Sequence, residues 1–255
     1  MQIKVKTQGV TVSRVVDLDK RVYNGVPCDK KDRLYHVKLV TVNAKKESFW
    51  SGGSLISEQW ILTAGHNVEP GETVTAILGF HPGTNMKEVK ITEEPIRYSD
   101  TDGNHDIMLL KLPPGHGYPI APTTDCNKPP IETNTVEIGG IGATQADPLT
   151  RLKGGPLKTA LQCGDTKVVK CEKKQTCPTV MPIHYNKNEK LICFQTTNVD
   201  ASKGDSGGGV VFQGMIYGVI IRGGKYACQV PASAINICDP QYKKWINDKT
   251  GLKIK

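Results

Sequence analysis

Short apolar runs at residues 36–42, 60–64, 74–78, 107–112, 136–141, 209–212 and 215–221 are separated by stretches rich in Gly, Pro, Asn, Asp and Thr. Runs of this length bounded by turn formers suit half-buried or buried strands and are too short for independent helices. The recurrence therefore predicts an all-β sandwich or barrel. Helical spacing is reached only near the end, where residues 239–247 carry Tyr242, Trp245 and Ile246, so a terminal helix packs on the β core. The Pro-, Gly- and Thr-rich stretch 113–130 reads as a linker between two β units. A chain of 255 residues can bury one large core or two smaller ones.

No stretch approaches the roughly 20 apolar residues of a membrane-spanning helix, and no membrane insertion is expected. Residues 1–6 alternate polar and apolar, which is not the apolar core of a signal peptide. Eight cysteines lie dispersed, without paired C-x-x-C spacing, and favour disulfides in an oxidising, extracellular compartment. The net charge of +8 is scattered, so a nucleic-acid partner is not expected.

The segment Gly204-Asp205-Ser206-Gly207-Gly208 sets a serine among glycines, where the backbone can turn tightly and leave the hydroxyl accessible. A serine hydroxyl becomes a useful nucleophile only beside a base held in one tautomer by a third group. His66, at the end of the run 60–64, is the candidate base. Asp106, before the apolar residues 107–110, is the candidate orienting carboxylate, because its charge favours the imidazolium that forms.

The order of Ser51-Gly52-Gly53-Ser54-Leu55-Ile56, Trp60-Ile61-Leu62-Thr63-Ala64-Gly65-His66, Asp106-Ile107-Met108-Leu109-Leu110 and Gly204-Asp205-Ser206-Gly207-Gly208 resembles the trypsin and chymotrypsin family of serine endopeptidases. The resemblance runs from Val22 to the terminal helix. It implies two six-stranded antiparallel β-barrels with the active site in the cleft between them, the N-terminal barrel over about 22–120 and the C-terminal barrel and helix over about 121–255. It also implies His66, Asp106 and Ser206 as a catalytic triad, with the amides of Gly204 and Ser206 as the oxyanion hole.

Residues 1–21 then resemble an activation peptide. Cleavage after Arg21 by an activating protease would free Val22 to pair with Asp205. In the family's pocket, Asp200 stands at the base and selects basic side chains. Ala201 replaces a hydroxyl that helps hold Lys, which tilts the expectation towards Arg. Gly223 is expected to leave one wall open, while Ala232 narrows the pocket. Ile221 and Arg222 replace an apolar platform, and Arg222 and Lys203 are expected to present positive charge beside the cleft.

Cys126 with Cys238 and Cys163 with Cys193 match two family disulfides. Cys171 and Cys177 are expected to close a local loop, leaving Cys28 with Cys228 by elimination. Ser51 and Asn67 replace both halves of the bridge that braces the catalytic histidine. The loop Phe80-His81-Pro82-Gly83 lacks the acidic ligands of a calcium site, so no metal and no cofactor are expected. The resulting expectation is a secreted, zymogen-derived serine endopeptidase acting on protein or peptide substrates and met by protein inhibitors. Two alternatives stand beside it: a silent homologue that binds a partner through the same cleft, and a protease of non-basic specificity.

Overall fold

The computed structural model describes residues 22–142, 145–147, 149–154, 160–171 and 188–255. The expected cleavage site at Arg21 and the expected partner Cys177 lie outside them. Two seven-stranded antiparallel sheets form the body. The first comprises β2 (His36–Val42), β3 (Ser48–Ser57), β4 (Trp60–Thr63), β5 (Thr73–Leu78), β6 (Lys87–Ile91), β7 (Ile96–Asp100) and β8 (Gly103–Lys111). Its strand order is β6-β5-β2-β3-β4-β8-β7.

The second sheet contains β1 (Val26–Pro27), β9 (Thr135–Gly140), β12 (Gln162–Val169), β13 (Leu191–Gln195), β14 (Gly209–Phe212), β15 (Met215–Arg222) and β16 (Ala232–Asn236). Its ladder runs β12-β13-β16-β15-β14-β9 and returns from β9 to β12, a closed six-stranded ring, with β1 added outside on β12. Closure removes the free edges that an open sheet would present. A separate hairpin joins β10 (Gln145–Ala146) to β11 (Lys153–Gly154).

Sequence alternation sets which faces are buried. In β5, Val74, Ala76 and Leu78 point inwards, while in β2 Val37 and Leu39 are fully buried. Lys38, between them, lays its ammonium over the Trp50 ring at 3.4 Å. Strand β8 lies between β4 and β7 and is buried on both faces from His105 to Leu110. Each fully buried Leu or Ile here contributes about 1.5–3 kcal/mol relative to exposure.

The helix α1 (Pro240–Thr250) starts at Asp239, whose side chain accepts from the Gln241 amide, and has Pro240 in its first turn. It ends at Gly251, whose left-handed φ of 73° suits glycine. Tyr242, Trp245 and Ile246 pack into one core cluster with Leu62, Leu110, Ile216 and Ile237, so the helix joins both sheets.

The disulfides correct three expected pairings. Cys126 bonds Cys238 as expected, but Cys28 bonds Cys163 and Cys171 bonds Cys193. The strand register explains the exchange. Val26 lies opposite Cys163 at one end of β12, whereas Cys193 lies opposite Val169 at the other end. Cys163 and Cys193 therefore cannot meet. Cys171 follows two residues after Val169 and does meet Cys193, not Cys177. Cys228, expected to pair with Cys28, is the one described cysteine outside a disulfide. Among the described residues, no helix is long and apolar enough to cross a membrane, and no cluster of three or more His, Cys, Asp or Glu could hold a metal.

Candidate active site

His66 sits on a single 3-10 turn, Gly65–Asn67, directly after β4. Asp106 lies within β8, and Ser206 on the loop between β13 and β14. The sheets are tied together at this point by the Gly52 amide of β3, which donates to the Ser206 carbonyl at 2.8 Å. Gly207 makes that approach possible. It has a φ of 83°, and a Cβ there would fall 2.0 Å from the Gly52 carbonyl oxygen.

The three polar groups form one chain. His66 Nε2 is 2.9 Å from Ser206 Oγ, and His66 Nδ1 is 2.8 Å from Asp106 Oδ2. The His66 amide also donates to Asp106 Oδ1 at 2.8 Å. With Nδ1–H on the carboxylate, Nε2 is left to accept the hydroxyl proton. Burial pushes the His66 pKa down, but the Asp106 charge and hydrogen bond outweigh it and hold the pKa above 6.5. Burial likewise pushes Asp106 up, yet His66 leaves its carboxyl below the ordinary value.

Three positioning residues escaped the sequence reading. Asn67 was read there only as half of a missing disulfide. Its amide donates to Thr63 Oγ1 at 2.8 Å and to the Ser206 carbonyl at 3.1 Å, so hydrogen bonds hold the histidine turn where a bridge would stand. Arg97 donates to the carbonyls of Gly65 and Val68 at 2.7 and 2.9 Å, gripping the same turn from outside. Glu189 accepts from the Asp106 amide at 2.9 Å and from Arg222 at 2.8 Å. No local motif marks Arg97 or Glu189. Both act across long sequence separations.

A cleft of about 450 Å³ opens beside this chain, bordered by Phe49, Trp50, His66, Lys203, Gly204 and Ser206. Gly204 has a φ of 97°, which only glycine adopts readily. Lys203 is exposed on the cleft's rim. Arg222 is not a loose positive charge beside the cleft, because it is engaged with the buried Glu189. Ile221 is buried at the end of β15.

The expected specificity pocket is closed. Gly223 does not hold a wall open: a Cβ on it would lie 2.0 Å from the Ala201 carbonyl oxygen, so the two facing walls are in contact. Ala201 and Ala232 are both fully buried in the core of the closed ring. Asp200 lies beneath them and is 4 % exposed. Its Oδ2 accepts from Lys153 Nζ at 2.6 Å and from the Cys228 amide at 2.8 Å.

Asp205, beside the serine, is fully buried and accepts from the amides of Gly142 and Ser202 at 2.7 Å each. Val22 is also fully buried, and its amide adds a further hydrogen bond to Asp205. Burial pushes the Asp205 pKa up to about 8, against the pull of these amides and of the Lys153 charge.

A hydroxyl facing an imidazole that a buried carboxylate orients defines the class of serine hydrolases that work through a nucleophilic serine. Within that class the chain belongs to the trypsin family, whose model matches residues 22–246. Relatives include human serine protease 1, 29% identical over 91% of this chain and 90% of its own length. Rat serine protease 1 is 27% identical over 94% of each chain. Human kallikrein-4 is 26% identical over 93% of this chain and 91% of its own.

Proposed function

We propose that the chain is the precursor of a secreted serine endopeptidase that hydrolyses peptide bonds through an acyl-enzyme. The observation that carries this reading is the continuous contact from Asp106 through His66 to Ser206, at 2.8 and 2.9 Å. Ser206 Oγ attacks the scissile carbonyl while His66 Nε2 takes its proton. Asp106 keeps Nδ1–H in place and favours the imidazolium. The amides of Gly204 and Ser206 receive the oxyanion, each such donor being worth roughly 3 to 4 kcal/mol in the transition state. The imidazolium then protonates the leaving amine, and water, deprotonated by the same nitrogen, releases the acyl group.

Residues 1–21 serve as the activation peptide, with cleavage after Arg21 by a separate protease. The seating of Val22 beside Asp205 supports this, since a new ammonium there would meet a fully buried carboxyl whose pKa burial pushes up to about 8. Three disulfides support an oxidising, extracellular setting. Asp200 would direct cleavage to basic residues, Arg before Lys because Ala201 offers no hydroxyl. Protein inhibitors that enter the same cleft are the further partners.

The test is to prepare the protein with Val22 as its first residue and measure hydrolysis of peptides carrying Arg, Lys or Phe before the scissile bond. Turnover above a Ser206→Ala control is expected, with Arg preferred. Turnover equal to that control would make the chain a binding homologue, and turnover confined to Phe would make its specificity non-basic.

A further inference from the structure

The side chain that fills the base of the specificity site belongs to the protein itself. Lys153 is 2 % exposed, and its ammonium touches both Asp200 Oδ2 and the Ala201 carbonyl at 2.6 Å. These are a carboxylate and a backbone acceptor at the base of a slot, the groups that a basic substrate side chain would require. A buried carboxylate can satisfy one cation in this way, and here that place is taken.

The occupant is delivered by organised structure. β11, which starts at Lys153, pairs with β10, with Ala146 opposite Lys153. The preceding residues run antiparallel to the segment 225–227: Leu152 is bridged to Tyr226, and the Ala227 amide donates to the Arg151 carbonyl at 2.9 Å. Arg151 Nε returns a bond to the Ala227 carbonyl at 3.0 Å. Arg151 also holds a φ of 59°, a left-handed conformation uncommon for a long side chain, and it turns the chain immediately before Lys153 descends. Leu152, Tyr226 and Val230 remain 38–40 % exposed around the seam, an apolar rim left open by the docked hairpin.

We propose that Lys153 is an intramolecular occupant of the basic-specificity site, so that a substrate's Arg or Lys can bind Asp200 only by displacing Lys153 and parting Gly223 from Ala201. This rests on the endopeptidase reading for its purpose, but its geometry stands on Lys153 and Asp200 alone. The chain is thereby restrained towards basic substrates by one of its own lysines. A substrate or partner that draws the 151–153 strand off residues 225–227 relieves the restraint.

The test uses the full chain and p-aminobenzamidine, a small amidinium whose fluorescence reports binding at such a carboxylate. Lys153→Met and Lys153→Ala should bind it at least tenfold more tightly than the unaltered protein, while Lys153→Arg should remain weak. Equal affinities throughout would overturn the proposal. A measurement on the unaltered protein guards against misfolded variants: amine acylation mapped by mass spectrometry should leave Lys153 protected beside the 77 % exposed Lys244, and saturating p-aminobenzamidine should make it reactive. Lys153 reacting as fast as Lys244 without the probe would also overturn it. Labelling of Ser206, in the chain that starts at Val22, by a fluorophosphonate with no basic group separates the two readings. Absent labelling with a tenfold affinity gain would sink the enzyme and keep the occupant; normal labelling with no gain would do the reverse.

Discussion

Asp205 offers a direct test of the proposed processing at Arg21. In the unprocessed chain Val22 contributes an amide, not an ammonium, and the buried Asp205 carboxyl titrates near pH 8 instead of the unfolded value of 3.8. A carboxyl whose folded pKa is raised stabilises the fold fully below its unfolded pKa and loses that contribution as pH rises towards its folded pKa. At about 1.36 kcal/mol per unit, the three units from pH 5 to pH 8 amount to about 4 kcal/mol of lost stability. A chain starting at Val22 places an ammonium against the same carboxyl, which then ionises at little cost until the amine itself titrates, above about pH 8. The assay is urea unfolding at intervals from pH 5 to pH 8 with disulfides intact, in a Ser206→Ala background that prevents self-digestion. Full-length protein should show the decline, the Val22-initiated chain should be nearly flat, and full-length Asp205→Asn should lose the slope because its amide does not titrate. Parallel slopes in all three would refute the reasoning, since some other group would then govern the pH response.

The raised His66 pKa requires kcat/KM to increase with pH through an apparent value above 6.5, because only neutral imidazole accepts the Ser206 proton; a midpoint below 6 would contradict it. Arg222→Met strips the ion partner from Glu189, whose side chain is 1% exposed, and should lower unfolding stability by about 3 kcal/mol. An unchanged urea midpoint would mean that Glu189 is not held as a buried charge. Asn67→Ala removes donors to Thr63 and to the Ser206 carbonyl, and a loss of about 1–3 kcal/mol in stability is expected, with kcat falling more than KM rises. Peptide mapping without reductant should recover Cys28 joined to Cys163 and Cys171 joined to Cys193. A Cys163–Cys193 peptide would contradict the register of β12.

The strands, the terminal helix and the reacting groups were legible in sequence because each depends on local information. Alternation decides which side of β5 is buried, and the glycines around Ser206 advertise a loop that a side chain would obstruct. Pairings across the fold were not legible. The partner of Cys28 follows from which end of β12 faces β1, and sequence spacing carries no trace of that register. Arg97, Glu189 and Lys153 were missed for a related reason: each acts on a backbone or carboxylate more than 25 residues away, and an isolated charged residue looks like a solvated one. The pocket differs from its sequence reading because Gly223, expected to leave a wall open, meets Ala201, and Lys153 of a neighbouring hairpin supplies a cation to Asp200.

The amide of Asn67 gives the histidine turn a fastening that contains no sulfur. Thiol reductants that open Cys28–Cys163 or Cys126–Cys238 loosen the β1 strand and the tether before the terminal helix. The alignment of His66 with Ser206 has no bond for them to cut. Reduction is therefore expected to shorten the lifetime of the folded molecule before it disturbs the contact between His66 and Ser206.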